Sequence, residues 1–144
     1  MAAQYDEGIY LQVGGIVKLT GFILKTSLII EMIGAALLAP VFCNDLGIAK
    51  GLWYSLFHSI SAFCNAGFDL FGIKEPFSSL TFYHSNIYLN IVIILLIITG
   101  GIGFLVWGDI GTHKHRIRRY SLQSKVVLMT SAVLIVLPAL YFFF

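Results

Sequence analysis

Residues 61–69 read SAFCNAGFD, a largely apolar segment that meets an asparagine, a glycine and an aspartate before it is long enough to cross a membrane. How this break is read decides the fold. Over residues 51–68 the large apolar side chains fall at Trp53, Leu56, Phe57, Ile60 and Phe63, steps of three and four that form one helical stripe. Tyr54, Ser55, His58, Ser59 and Ser61 lie off it, and Asn65 and Gly67 end the pattern. A helix of about 13 residues is roughly 20 Å long, short of the roughly 30 Å hydrocarbon core. Such a segment enters a bilayer without crossing it.

The rest of the chain supplies the membrane setting. Of its 144 residues 58% are hydrophobic and 11% charged, and the mean hydropathy is strongly positive. Residues 87–107 and 126–144 carry no charged side chain and are long enough to span. Residues 16–42 read as a third, longer and tilted helix with Glu31 inside it. The N-terminus lacks a basic start followed by an apolar run, so no secretory signal is read there. Cys43 and Cys64 have neither C-x-x-C nor Cys/His spacing, which argues against a metal centre or disulfide framework. A formal charge of +2 gives no reason to expect nucleic acid.

The charges fix a direction. Lys18 and Lys25 precede Thr26, where the charge-poor stretch of the first span begins, and Lys114, Arg116, Arg118, Arg119 and Lys125 follow the second; only Lys50 and Lys74 flank the short helix. The positive-inside bias gathers the first seven on one cytoplasmic face only if residues 51–68 turn back without crossing. The expected fold is therefore an all-α membrane protein built as span, re-entrant pore helix with filter loop, and span, as in the pore unit of cation channels, with one further transmembrane helix. Its parts are a cytoplasmic N-terminal segment (1–15), an outer helix (16–42), a pore helix (51–64), a filter loop (65–69), an inner helix (86–108), a basic cytoplasmic loop (109–125) and a last helix (126–144).

A helix that stops at mid-membrane directs the negative end of its dipole inward, which favours a cation. The loop after it can offer backbone carbonyls in place of a hydration shell, and Gly67 allows close approach. Non-helical backbone at that depth needs a protein partner or an aqueous cavity.

The stretches FHSISAFCNAGFDLF (57–71) and IITGGIGFLVWGD (97–109) closely resemble the second repeat of the Trk/Ktr/HKT superfamily of potassium transporter membrane subunits. TSLIIEMIGAALL (26–38) resembles the outer helix of that repeat, and RRYSLQSKVVLMTSAVL (118–134) the passage into the third. The resemblance implies that four repeats surround one pore in the plasma membrane, and that the chain is a fragment holding one repeat and the start of another. It implies a filter of backbone carbonyls at Asn65, Ala66, Gly67 and Phe68, with K+ at the first three. It also implies a homodimer working with a cytoplasmic nucleotide-binding regulatory subunit. No cofactor is expected beyond the transported ion.

Individual residues carry alternatives. Glu31 is expected to support the pore unit by hydrogen bonding, although an intramembrane carboxylate is by default a functional candidate. Asp69 is either a carboxylate at the outer mouth that concentrates cations or a loop cap. His58 is expected to pack against a neighbouring helix and Cys64 to fill space beside the filter. Gly100, Gly101 and Gly103 are read as close packing against the pore helix, with a gating hinge as the sharper alternative. A Na+-permeable or non-selective transporter, an accessory helical subunit and a membrane-embedded enzyme using Glu31, His58 or Cys64 are the competing functions. The enzyme lacks a nucleophile and base at supporting spacing.

Overall fold

The computed structural model describes residues 2–73, 76–113 and 120–143, with side chains for 15–72, 76–111 and 120–143. Every regular element among them is helical: α1 (Ala2–Leu46), α2 (Ile48–Phe63), two 3-10 turns (Phe71–Ile73 and Ser79–Tyr83), α3 (Ile87–Ile102), α4 (Phe104–His113) and α5 (Leu122–Phe143). Two helical segments, Gly15–Leu46 and Leu122–Phe143, are long and apolar enough to cross a membrane, and α3 with α4 forms a bent third candidate. This is an all-α membrane protein.

α1 begins well before residue 16, and α2 folds back on it after Gly47 alone. Gly47 has φ 79°, which an L side chain tolerates poorly, and its N–H still bonds the Cys43 carbonyl at 3.1 Å. The helices then run antiparallel, Gly51 against Cys43 near the turn and Ser59 against Glu31 further down. α2 has 16 residues, roughly 24 Å of helix. Its end reaches only Glu31, about midway along the Gly15–Leu46 segment.

The face that α2 buries is its small and polar one: Gly51, Ser55, His58, Ser59 and Ser61, with Phe63. Of the large apolar stripe, Trp53 and Ile60 face away, at 60% and 39% exposure, Leu56 and Phe57 are half-buried, and only Phe63 is buried. Between helices in lipid there is little hydrophobic drive, so close approach and interhelical hydrogen bonds decide the packing. The Ser59 hydroxyl donates to the Glu31 carbonyl at 2.7 Å, and Gly34 leaves the space that Ser59 and Leu96 occupy. α3 joins the same pair, with the Tyr88 hydroxyl donating to the Leu37 carbonyl at 2.9 Å. Leu38, Phe42, Phe63, Phe71, Tyr83, Leu89, Val92 and Leu96 complete the core.

Residues 86–108, expected as the inner helix, fall in two helices. α3 ends at Ile102, and α4 leaves at 89°. Gly103 makes the corner with φ 88° and ψ 152°, a conformation almost confined to glycine. A continuous helix would have bonded the Thr99 carbonyl to the Gly103 N–H; here the Trp107 indole N–H donates to it at 3.1 Å.

α5 starts at Leu122, so Lys125 lies within a helix instead of a loop. Lys114, Arg116, Arg118 and Arg119, on which the basic-loop reading rests, lie outside the described residues, as does Lys74. The two ends of that connection are joined nonetheless. One Asp109 carboxylate oxygen accepts from the Ser121 N–H at 2.9 Å and from the Ser121 and Ser124 hydroxyls at 2.6 Å each. Ser121 also receives the Ser124 N–H at 3.2 Å, capping α5.

Gly103→Ala is expected to destabilise the full-length transporter carrying this segment by about 1–3 kcal/mol, because the corner conformation is strained for alanine. Thermal unfolding of the detergent-solubilised protein checks this; an unchanged Tm would contradict the corner.

Candidate functional site

The site is built where α2 stops. Cys64 continues the helical geometry and its N–H bonds the Ile60 carbonyl at 2.9 Å. Asn65 then turns left-handed, φ 54°, and two reversed bonds follow: Asn65 N–H to Ala62 carbonyl at 3.1 Å and Ala66 N–H to Ser61 carbonyl at 2.9 Å. This is the Schellman ending, with asparagine in the position more often held by glycine. Asn65 was singled out as a filter residue; its conformation shows that it also terminates the helix.

Asn65 does more with its side chain. The amide nitrogen lies 3.4 Å from both the Phe63 and Ile97 carbonyls, linking the end of α2 to α3. Gly100 of α3 lies directly against the Phe63 carbonyl, so that a Cβ at this position would collide with backbone. Gly101 faces only the Asn65 amide, with ordinary clearance of 3.9 Å, and Gly103 has open space and serves conformation alone. The three clustered glycines therefore have three different reasons to be glycine.

The carbonyls of Ile60, Ser61, Ala62 and Phe63 are all approached by donors, and those that follow are left free. Among the described residues no hydrogen bond reaches the carbonyls of Cys64, Asn65, Ala66 or Gly67, and all four residues are exposed in this chain. Gly67 is left-handed at φ 72°. Phe68 differs from them, because its carbonyl accepts the Ser61 hydroxyl at 2.7 Å. The returning limb is also held by the Tyr54 hydroxyl on the Leu70 carbonyl at 3.1 Å. Ser61 and Tyr54 were not singled out as site residues; their signal was the run of polar positions off the apolar stripe of α2.

The remaining candidates are placed as follows. Asp69 caps the next turn, one carboxylate oxygen accepting the Phe71 N–H at 2.8 Å. The Glu31 carboxylate lies 3.9 Å from the Cys64 thiol, while the helix-to-helix bond at this level uses the Glu31 backbone carbonyl. Cys64 is exposed in this chain and does not fill the core. His58 is buried among Phe42, Tyr54, Phe57 and Phe71. Near the 3-10 turns, burial pushes the Tyr83 phenol up to about 12, with the Asp45 carboxylate adding to the effect, so it stays neutral at ordinary pH. Among the described residues no group of three His, Cys, Asp or Glu side chains could hold a metal ion.

A family model described as a cation transport protein, TrkH, matches residues 4–143. The chain belongs to the TrkH family. It is 46% identical over 125 residues to the potassium/sodium uptake protein NtpJ of Enterococcus hirae, an alignment covering 87% of this chain and 26% of that one. It is 38% identical over 122 residues to the Ktr system potassium uptake protein B of Bacillus subtilis, covering 85% of this chain and 26% of the relative. The chain thus spans about a quarter of the length of the curated relatives it matches. TrkH-family membership bears out the resemblance read in residues 57–71 and 97–109, and the relatives are transport proteins, not enzymes.

Gly100→Ala is expected to destabilise the full-length protein by about 1–3 kcal/mol through backbone overpacking, whereas Gly101→Ala should stay within about 1 kcal/mol of the parent. Paired unfolding curves of the two variants test this. Equal effects would remove the close contact between Gly100 and Phe63.

Proposed function

We propose that the chain supplies one wall of a potassium uptake pore, with the carbonyls of Asn65, Ala66 and Gly67 directed at the ion. The observation that carries this reading is the run of unbonded carbonyls, those of Asn65, Ala66 and Gly67 among them, after a helix that ends midway along its neighbour. Carbonyls left without donors at membrane depth are tolerated where they face water or a cation. The dipole of α2 adds a preference for positive charge of roughly 0.3–1 kcal/mol. Phe68 closes the loop, and Ser61, Tyr54, Asn65 and Gly100 hold its shape. Asp69 acts as a turn cap whose charge stands at the mouth. Glu31 supports the pore unit from behind.

In this reading α2 enters from outside and returns outside, and residues 109–125 lie in the cytoplasm of a plasma-membrane protein. Four repeats complete the ring, of which this chain holds one and the start of another. The complete transporter is a homodimer that works with a cytoplasmic nucleotide-binding subunit. The printed name of the Enterococcus hirae relative includes sodium beside potassium, so Na+ is the competing cargo to be measured. No cofactor takes part.

Rubidium and sodium uptake by the full-length transporter carrying this segment tests the assignment. Gly67→Val places a β-branched side chain at φ 72° and is expected to cut Rb+ uptake about tenfold or more, the effect of at least about 1.4 kcal/mol of strain. Normal Rb+ uptake and an unchanged Rb+/Na+ ratio in that variant would defeat it.

A further inference from the structure

Residues 64–70 are all exposed or half-buried, and a buried phenylalanine stands at each end of them, Phe63 at 4% exposure and Phe71 at 1%. The loop with the free carbonyls is therefore slung between two buried rings. Its upstream end is fixed by the turn at Asn65 and by the contact of Gly100 with the Phe63 carbonyl. What fixes its downstream end is Phe71.

The Phe71 ring packs against four others, with centroids 5.0 Å away at His58, 5.2 Å at Tyr54, 5.4 Å at Tyr83 and 5.6 Å at Phe42. At such separations tilted and edge-on rings attract one another. The four come from three elements: Phe42 from α1, Tyr54 and His58 from α2, and Tyr83 from the second 3-10 turn. They also hold each other, since Phe42 packs on both His58 and Tyr83. The backbone is bent to deliver the ring into this group. Asp69 accepts the Phe71 N–H, the turn in which an aspartate side chain fixes the backbone two residues on, and Phe71 then opens the first 3-10 turn.

The hydrogen bonds to the returning limb, from Ser61 and Tyr54, both come from α2. A donor approaches a carbonyl over a broad range of directions, so single bonds of this kind leave the limb some freedom to slide and tilt. A ring enclosed in a close-packed interior has no such freedom. We propose that Phe71 is the downstream anchor of the loop, a positioning residue whose ring, held among Phe42, Tyr54, His58 and Tyr83, sets where the carbonyls of Asn65, Ala66 and Gly67 stand. It touches no ion and acts through the backbone of residues 68–70. Through Phe42, α1 then shapes the loop without contributing a residue to it. The effect on transport rests on the pore reading above, whereas the anchoring itself does not.

Two measurements on the full-length transporter test it, with Leu38→Ala, a truncation at a buried α1 position of the same core outside the ring group, as the control. In hydrogen exchange, Phe71→Leu is expected to speed exchange about threefold or more in peptides covering residues 64–72 while peptides of α1 and α3 keep the parent's rate. Leu38→Ala should show no increase confined to the loop. In transport, the Rb+/Na+ uptake ratio of Phe71→Leu should fall about tenfold at normal membrane abundance, the low end of what losing a group behind an ion's ligands costs. Leu38→Ala should keep the parent's ratio. Unchanged exchange at residues 64–72, or an increase spread evenly over the helices, would overturn the anchor. A ratio unchanged in Phe71→Leu, or lowered equally in both variants, would overturn the positioning role. If Phe71→Leu fails to accumulate, Phe71→Met, whose unbranched side chain adapts to gaps, is held to the same outcomes. A parent protein without Rb+ uptake would defeat the pore reading and leave hydrogen exchange to decide the anchor.

Discussion

Each peptide unit at the end of α2 has a donor and an acceptor to place, and the neighbourhood offers few ways to place them. The carbonyls of Ile60, Ser61 and Ala62 are taken by the N–H groups of the reversed turn. The next, from Phe63, is pressed against Gly100 and touched by the Asn65 amide. Only after it do carbonyls become available, from Cys64 onward and so at Asn65, Ala66 and Gly67. The availability of those three depends on the ones before being satisfied, because an unsatisfied group at the helix end would compete for the same donors. Asn65 carries most of this arrangement, as left-handed turn residue, as donor to α3 and as a free carbonyl.

The packing around that point inverts the usual rule for soluble proteins. α2 turns Ser55, Ser59 and Ser61 inward and Trp53 and Ile60 outward. In water, burying a large apolar side chain contributes about 1.5–3 kcal/mol and would have chosen the opposite face. In lipid that gain is absent, and an interhelical hydrogen bond contributes about 0.6 kcal/mol on average. The bonds from Ser59 to Glu31, Tyr88 to Leu37 and Asn65 to Ile97 are therefore comparable with the packing terms, and glycines at 34, 51 and 100 bring the backbones close enough to make them. The exposed apolar surfaces of α1 and α5 fit the same setting.

Much of the fold was legible in the sequence because it is dictated by composition and length. The apolar spans, the half-length helix and its break at Asn65 follow from hydropathy, and the family resemblance rests on the same residues. The corner at Gly103 was not legible in that way. Residues 97–107 are apolar on both sides of it, and hydropathy carries no information on direction. Three glycines stood within four positions, and only the contact of Gly100 with Phe63 and the φ of Gly103 separate their duties. The role of Trp107 was hidden for the same reason: its partner carbonyl exists only because the helix breaks. Ser61 and Tyr54 were visible as polar positions, but their partners lie beyond a turn whose path the sequence did not specify.

The one-residue link at Gly47 has a consequence for how such a chain reaches its place. Closing a loop costs more chain entropy as the loop lengthens, and between α1 and α2 almost nothing has to be closed. Their contacts start beside the turn and extend outward from it, the kind that form early along a folding route. A helix too short to span, with three serines on its buried face, is poorly suited to wait in lipid for a distant partner. Tethered to α1 by Gly47, it acquires its shelter in the same step that brings it into the membrane.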